Sequence, residues 1–257
     1  MVGDVERGKS RYCVALPMLN RLWPCNRFKS IVKPESFYES HSESDPRRYF
    51  YNVDLQGRLF LEETIPKNIA TSIKDERFLD FFFRMIRPVG PRELEIMNKF
   101  EISQDEYPFV SPCGKELNFI RPAATPIVYH SFNQTDMTLI YAGTKTEEFR
   151  ASGLAISKKT GRLYHRCKHL ELLAAKATNQ CAERSRYHRF ALIRSAIVVA
   201  LSEHIVPLPD DMDRRTKDDS ELAFILGDHV PQPIPWLPDW DEPGSWAMPF
   251  SEDGSDN

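Results

Sequence analysis

The sequence predicts an α+β protein: an antiparallel sheet of hairpins, helices packed on one face of it, and disordered N- and C-terminal tails. Three observations carry this. After position 106, apolar and polar residues alternate with period two for about sixty residues, as half-buried strands require. Helical spacing is confined to blocks on either side, without the βαβ alternation of a parallel sheet. The two ends differ from the middle in charge. Residues 7–33 hold seven basic residues and no acid, whereas residues 207–257 hold thirteen acids, three basic residues and eight prolines. The division is therefore 1–45, a basic targeting-like and linker segment; 46–206, a single α+β domain; and 207–257, an acidic Pro/Trp-rich tail.

Taken in order, residues 7–33 interleave their cations with Val14, Leu16, Leu19, Leu22 and Trp23, the bias of an imported segment, although Pro17 and Pro24 interrupt an amphipathic helix. Residues 48–54 and 58–63 read as a hairpin whose turn needs Gly57 at positive φ. Tyr49, Tyr51 and Val53 share one face of its first strand. The Asp54/Gly57 pair lacks the further carboxylates of a calcium loop. Asp75 can cap a helix to position 86 with Phe78, Leu79, Phe82, Met85 and Ile86 on its apolar side, and a short helix follows over 91–100. Strands are expected at 107–110, 116–121, 127–132 and 138–142. A further hairpin pairs 154–157 with 162–165, and helices are expected at 168–177 and 186–205, the last with a core stripe of Phe190, Ile193, Ile197 and Leu201.

Composition bounds the function. Hydrophobic residues make up 41% of 257, and no stretch approaches the roughly 18 consecutive apolar residues of a membrane helix, so no membrane partner is expected. Five cysteines, with no C-x-x-C, make neither a disulfide framework nor a zinc ribbon and point to a reducing compartment. Phosphate-loop, dinucleotide, zincin and serine-hydrolase signatures are absent, and no cofactor is expected.

The runs RYFYNVDLQGRLFL at 48–61, FVSPCGKELNFIR at 109–121, GRLYH at 161–165 and IRSA at 193–196 occur in that order. In these the chain resembles an uncharacterised eukaryotic protein family of unknown function whose human member is a small mitochondrial protein. The resemblance covers about residues 47–206 and implies a single domain, mitochondrial residence in at least some members and no assigned activity. Residues 91–104, residues 168–185 and the acidic tail depart from the human member.

Candidate chemistry is sparse. His165, Cys167, His169, Cys181 and His188 have no standard metal-ligand spacing, so no metal is expected. Cys113 lies in a Ser-Pro-Cys-Gly-Lys turn where backbone amides and Lys115 would lower its pKa, with His130 or His165 as base if the fold brings one near. Against this stands a tight turn in which Gly114 takes positive φ and Cys113 fills space. Arg121 and Arg194 attract notice because Arg194 interrupts an apolar stretch: it needs a carboxylate, such as Glu116 or Asp54, or an anionic ligand. Aromatic strands beside basic residues raise RNA binding, but the RNP pattern is missing and nucleic acid is not the expected partner.

The reading is thus a non-catalytic binding or assembly protein of the mitochondrion, with the cytoplasm as alternative residence. Trp236, Trp240 and Trp246 either strap back onto the domain, the preferred arrangement, or dock on a partner protein. The first alternative is an enzyme or small-anion binder that uses Lys115, Arg121, Arg194 and Cys113 in one pocket, and the second an RNA-binding protein. Oligomeric state is left open.

Overall fold

A computed structural model describes residues 45–176, 189–208, 220–226 and 230–237. The chain opens with β1 (Arg47–Val53) and β2 (Leu59–Leu61), then α1 (Glu76–Arg84), β3 (Arg87–Pro88) and α2 (Pro91–Lys99). Next come β4 (Phe109–Cys113), β5 (Glu116–Pro122), β6 (Val128–Tyr129), β7 (Ser131–Asn133), β8 (Thr138–Tyr141) and β9 (Lys145–Glu148). A hairpin of β10 (Leu154–Ser157) and β11 (Leu163–Arg166) precedes α3 (Lys168–Lys176), β12 (Phe190–Ile193) and α4 (Ser195–Leu201). The described residues end with β13 (Ile205–Pro207), β14 (Leu222–Phe224), β15 (Gln232–Ile234) and β16 (Trp236–Leu237).

The strands form two five-stranded sheets, β2-β1-β5-β4-β3 and β16-β10-β11-β12-β6, and two three-stranded ones, β7-β8-β9 and β13-β14-β15. The class is α+β, but the larger sheets are mixed rather than purely antiparallel. β1 runs parallel to β5, β12 to β6, and β16 to β10. The first sheet is covered on both faces. Tyr51, Val53 and Ile120 enter the main core with Phe82, Phe83 and Ile86 at the α1 end, while Phe50, Val110 and Phe119 meet Met97 of α2 in a second cluster. Strand alternation decides which residue goes where, and Tyr49, Tyr51 and Val53 do share the main-core face.

Local signals settle the helix and turn boundaries. The Asp75 carboxylate accepts from the Phe78 N–H at 2.7 Å, the N-cap bond that opens α1. Pro91 occupies the first turn of α2, and Glu93 accepts from the Gly90 N–H at 3.1 Å. The α1 face away from the core is also used. Asp80 accepts from the Gly143 and Thr144 N–H groups at 3.1 and 2.9 Å, so α1 is tied to the β8–β9 turn. A Cβ on Gly143 would lie 2.5 Å from the Glu76 carbonyl oxygen, and only glycine fits that approach.

Two expectations are corrected. The helix expected over 186–205 is β12, then α4, then β13; its residues 186–188 lie outside the described segments. Phe190 to Ile193 are bonded on both sides, by β11 and β6, and a short apolar run buried on both faces carries no period that separates strand from helix. The strand expected over 127–132 is split at His130 into β6 and β7, which belong to different sheets. Within 207–257, β14, β15 and β16 are folded onto the body, and Phe224, Ile234 and Leu237 are buried. Proline is compatible with this because Pro233 sits on β15, an edge strand. Among the described residues no helix is long and apolar enough to cross a membrane.

Phe119 is 0% exposed and stacks on Phe50 with ring centroids 5.7 Å apart. In urea denaturation, Phe119→Ala should cost about 3–5 kcal/mol and Asp75→Ala about 1 kcal/mol. Equal losses from the two would contradict this division between packing and capping.

Candidate functional site

Among the described residues a polar cleft of about 290 Å³ forms where β9, the turn Ala151–Gly153, β11 and the start of α3 meet. Its charges are paired. Arg150 bonds Glu148 at 2.6 Å, Arg166 bonds Glu171 at 3.2 Å, and Lys168 lies 3.4 Å from Glu147. Three cations thus meet three carboxylates. Glu147 is nearly buried, and its second oxygen accepts from the Lys168 N–H at 3.1 Å, so a strand residue supplies a cap that the α3 sequence lacks.

His165 forms the cleft floor. Its Nδ1 lies 2.7 Å from the Arg166 carbonyl, and its Nε2 lies 3.0 Å from the Arg150 N–H and 3.1 Å from the Arg150 carbonyl. A neutral ring protonated at Nδ1 donates to the Arg166 carbonyl and accepts from the Arg150 N–H. The ring stacks on Phe149 at 5.5 Å and meets Tyr129 edge-on at 5.9 Å. Burial, as the largest cause, lowers its pKa against the opposing pull of its backbone partners. Next to it Cys167 is fully buried, and burial pushes its thiol up to about 11. The Tyr129 hydroxyl donates to the same Arg166 carbonyl at 3.0 Å, and burial likewise raises its pKa. The cleft therefore has charged rims, a neutral imidazole engaged at both nitrogens, and a thiol held in its unreactive form.

The residues singled out from sequence lie elsewhere. Cys113 closes β4 and Lys115 precedes β5, with Gly114 between them at φ +58°, the turn conformation expected of it. Arg121 stands near the far end of β5, roughly 20 Å along the strand from Lys115. Its guanidinium ion-pairs with Glu62 and Glu106, and its Nε donates to Asn52 at 2.9 Å. Arg194 precedes α4 and donates through Nε to Gln56 at 2.6 Å, in place of the expected Glu116 or Asp54. Those carboxylates are taken by Arg47 and Arg58. His130 meets the Ala142 carbonyl at 3.0 Å. Cys113 and Lys115 therefore lie at one end of β5 and Arg121 near the other.

Among the described residues no group of three His, Cys, Asp or Glu side chains could hold a metal, and Cys181 and His188 lie outside them. Trp236 is half-buried in β16, with Lys158 Nζ 5.8 Å from its ring centroid. Trp240 and Trp246 lie outside the described residues. Sequence reading passed over Glu147, which sits in a polar run with no period of its own, and Arg48, which is 1% exposed with its guanidinium carbon 3.4 Å from the centroid of the Phe100 ring. The place of Arg48 on the buried face of β1, in alternation with Phe50, is the signal that could have marked it.

Because His165 is held neutral, its contribution to stability is fully present above the unfolded value of about 6.5 and is lost as pH falls through that value toward the lower folded one. His130, also lowered by burial, acts in the same direction. Unfolding free energy measured between pH 7.5 and 5 should decline on the acid side, and His165→Gln should flatten the decline. A Cβ on Gly153 would lie 2.7 Å from His165 Nε2, so Gly153→Ala should cost about 1–3 kcal/mol by displacing a ring fixed at both nitrogens.

The family model described as Domain of unknown function (DUF4505) matches residues 39–219. No solved structure matches the chain.

Proposed function

The chain belongs to that family, and we propose that it acts as a non-catalytic binding or assembly protein of the mitochondrion. The observation that carries this reading is the condition of the reactive side chains. Cys167 is sealed and protonated, His165 is committed at both nitrogens, and Arg121 is paired with two carboxylates. A catalytic group needs a free proton site or an exposed nucleophile near its working pKa. Here burial and pairing spend those groups on structure.

The partner face is assigned to the end of the chain. Trp236 is used within the fold, and the chain runs on past Leu237 through Trp240 and Trp246 in a segment, residues 238–257, with six acids and no basic residue. Aromatic anchors in such a segment suit a partner with an apolar pocket and a basic rim. The mitochondrial address is drawn from the cations of residues 7–33.

Two truncations separate folding from binding. Ending the chain after Pro207 removes Phe224, Ile234 and Leu237 from the core and should lower the melting temperature, since each buried apolar side chain is worth about 1.5–3 kcal/mol. Ending it after Leu237 should leave the melting temperature within a degree or two of the full chain and abolish co-purification of the mitochondrial partner. Retained co-purification would overturn the assignment of the partner face. In cells, deletion of residues 1–35 should leave the protein in the cytosol without altering its melting temperature, and normal import of the shortened chain would refute the address.

A further inference from the structure

β10 and β16 run parallel, with Ile156 opposite Trp236 and Ser157 opposite Leu237. The two chains then diverge in character. After Ser157 comes the turn Lys158-Lys159-Thr160-Gly161-Arg162, with three cations and no acid; after Leu237 comes Pro238-Asp239-Trp240-Asp241-Glu242, with three acids and no cation. The turn is well built. The Gly161 N–H donates to the Ser157 carbonyl at 2.9 Å, the Thr160 N–H to Ser157 Oγ at 3.2 Å, and Gly161 takes φ +65°. Lys158 and Lys159 are exposed, and among the described residues no carboxylate lies within ion-pair distance of either lysine or of Arg162.

We infer that the basic turn Lys158–Arg162 is a docking surface for the acidic segment 239–242 of the same chain. Register carries the argument. Two residues beyond the last paired position, Asp239 can reach about 7 Å from Leu237, while Lys159 stands two residues beyond Ser157 on the neighbouring strand. The parallel direction therefore delivers opposite charges to the same end of the sheet, within a Debye length of about 8 Å at physiological salt. Pro238 has no N–H with which to extend the ladder beyond Leu237. Lys158 Nζ already lies 5.8 Å from the Trp236 ring centroid, which places an ammonium group beside the last paired residues of β16. This contact is intramolecular and uses the carboxylates of Asp239, Asp241 and Glu242, leaving Trp240, Trp246 and the acids at 252, 253 and 256 for the partner assigned to the tail above.

Zero-length carbodiimide cross-linking of the full chain, read by mass spectrometry, tests it. The Lys168–Glu147 pair, 3.4 Å apart, is the internal standard. In 50 mM salt, links from Asp239, Asp241 or Glu242 should fall on Lys158 and Lys159 within monomeric protein, and 0.5 M salt should reduce them about fivefold relative to the standard. In D239K/D241K, the remaining Glu242 should lose its link to these lysines by a similar factor. Adding K158E/K159E to that variant should restore linkage with amine and acid exchanged. All four positions precede or follow the paired strands, and an unchanged melting temperature confirms that each variant is folded. Links scattered equally over distant lysines, a Glu242 link indifferent to D239K/D241K, or linkage not regained in the fourfold exchange would overturn the docking surface. Links confined to covalent dimers would also overturn it, by placing the acidic segment on a second copy. None of these readings uses a partner, so a failed co-purification leaves this test intact.

Discussion

Seven residues of β1 stand in parallel register with seven of β5, from Arg47 beside Glu116 to Val53 beside Pro122, and this pairing spans the intervening helices and turns. It places Phe50 beside Phe119 on one face and Tyr51 beside Ile120 on the other, so a single register supplies both clusters of the first sheet. A slip of one residue would send every side chain to the wrong face. β1 also pairs with β2, and the turn between them carries Gln56 to Arg194 across 138 residues of chain. Loss of the register would therefore be felt in the second sheet as well as the first.

Around the cleft the governing constraint is the cost of burying polar groups. Glu147 meets it by capping α3 and pairing with Lys168, and His165 meets it through two backbone partners. The same bonds fix the Ala151–Gly153 turn between β9 and β10 and hold Gly153 against the imidazole. What looks from the outside like a polar site is, bond by bond, the joint between a three-stranded sheet and a five-stranded one. The paired charges at its rim leave little unbalanced field with which to draw in an ion.

The family match ends at position 219, just short of β14, yet Phe224, Ile234 and Leu237 complete the main core. The three closing strands thus belong to the body by packing while lying beyond the matched residues. Their one proline, Pro233, is tolerated because β15 is an edge strand.

The sequence by itself determined whatever depends on near neighbours. The Asp75 cap, the positive φ of Gly57 and Gly114, the faces of β1 and the hairpin of β10 with β11 all follow from side chains and backbone within a few residues of one another. Only the tertiary structure decided the parallel pairing of β1 with β5, the identity of 190–193 as a strand, the partners of Arg121 and Arg194, and the fixing of His165 from Arg150 and Arg166. Each of these is a choice among partners far apart in the chain. Arg194 could have met any of several carboxylates on charge alone. Its position at the end of β12 brought it to Gln56 instead, because register and packing fix where a side chain ends before electrostatics can select what it meets.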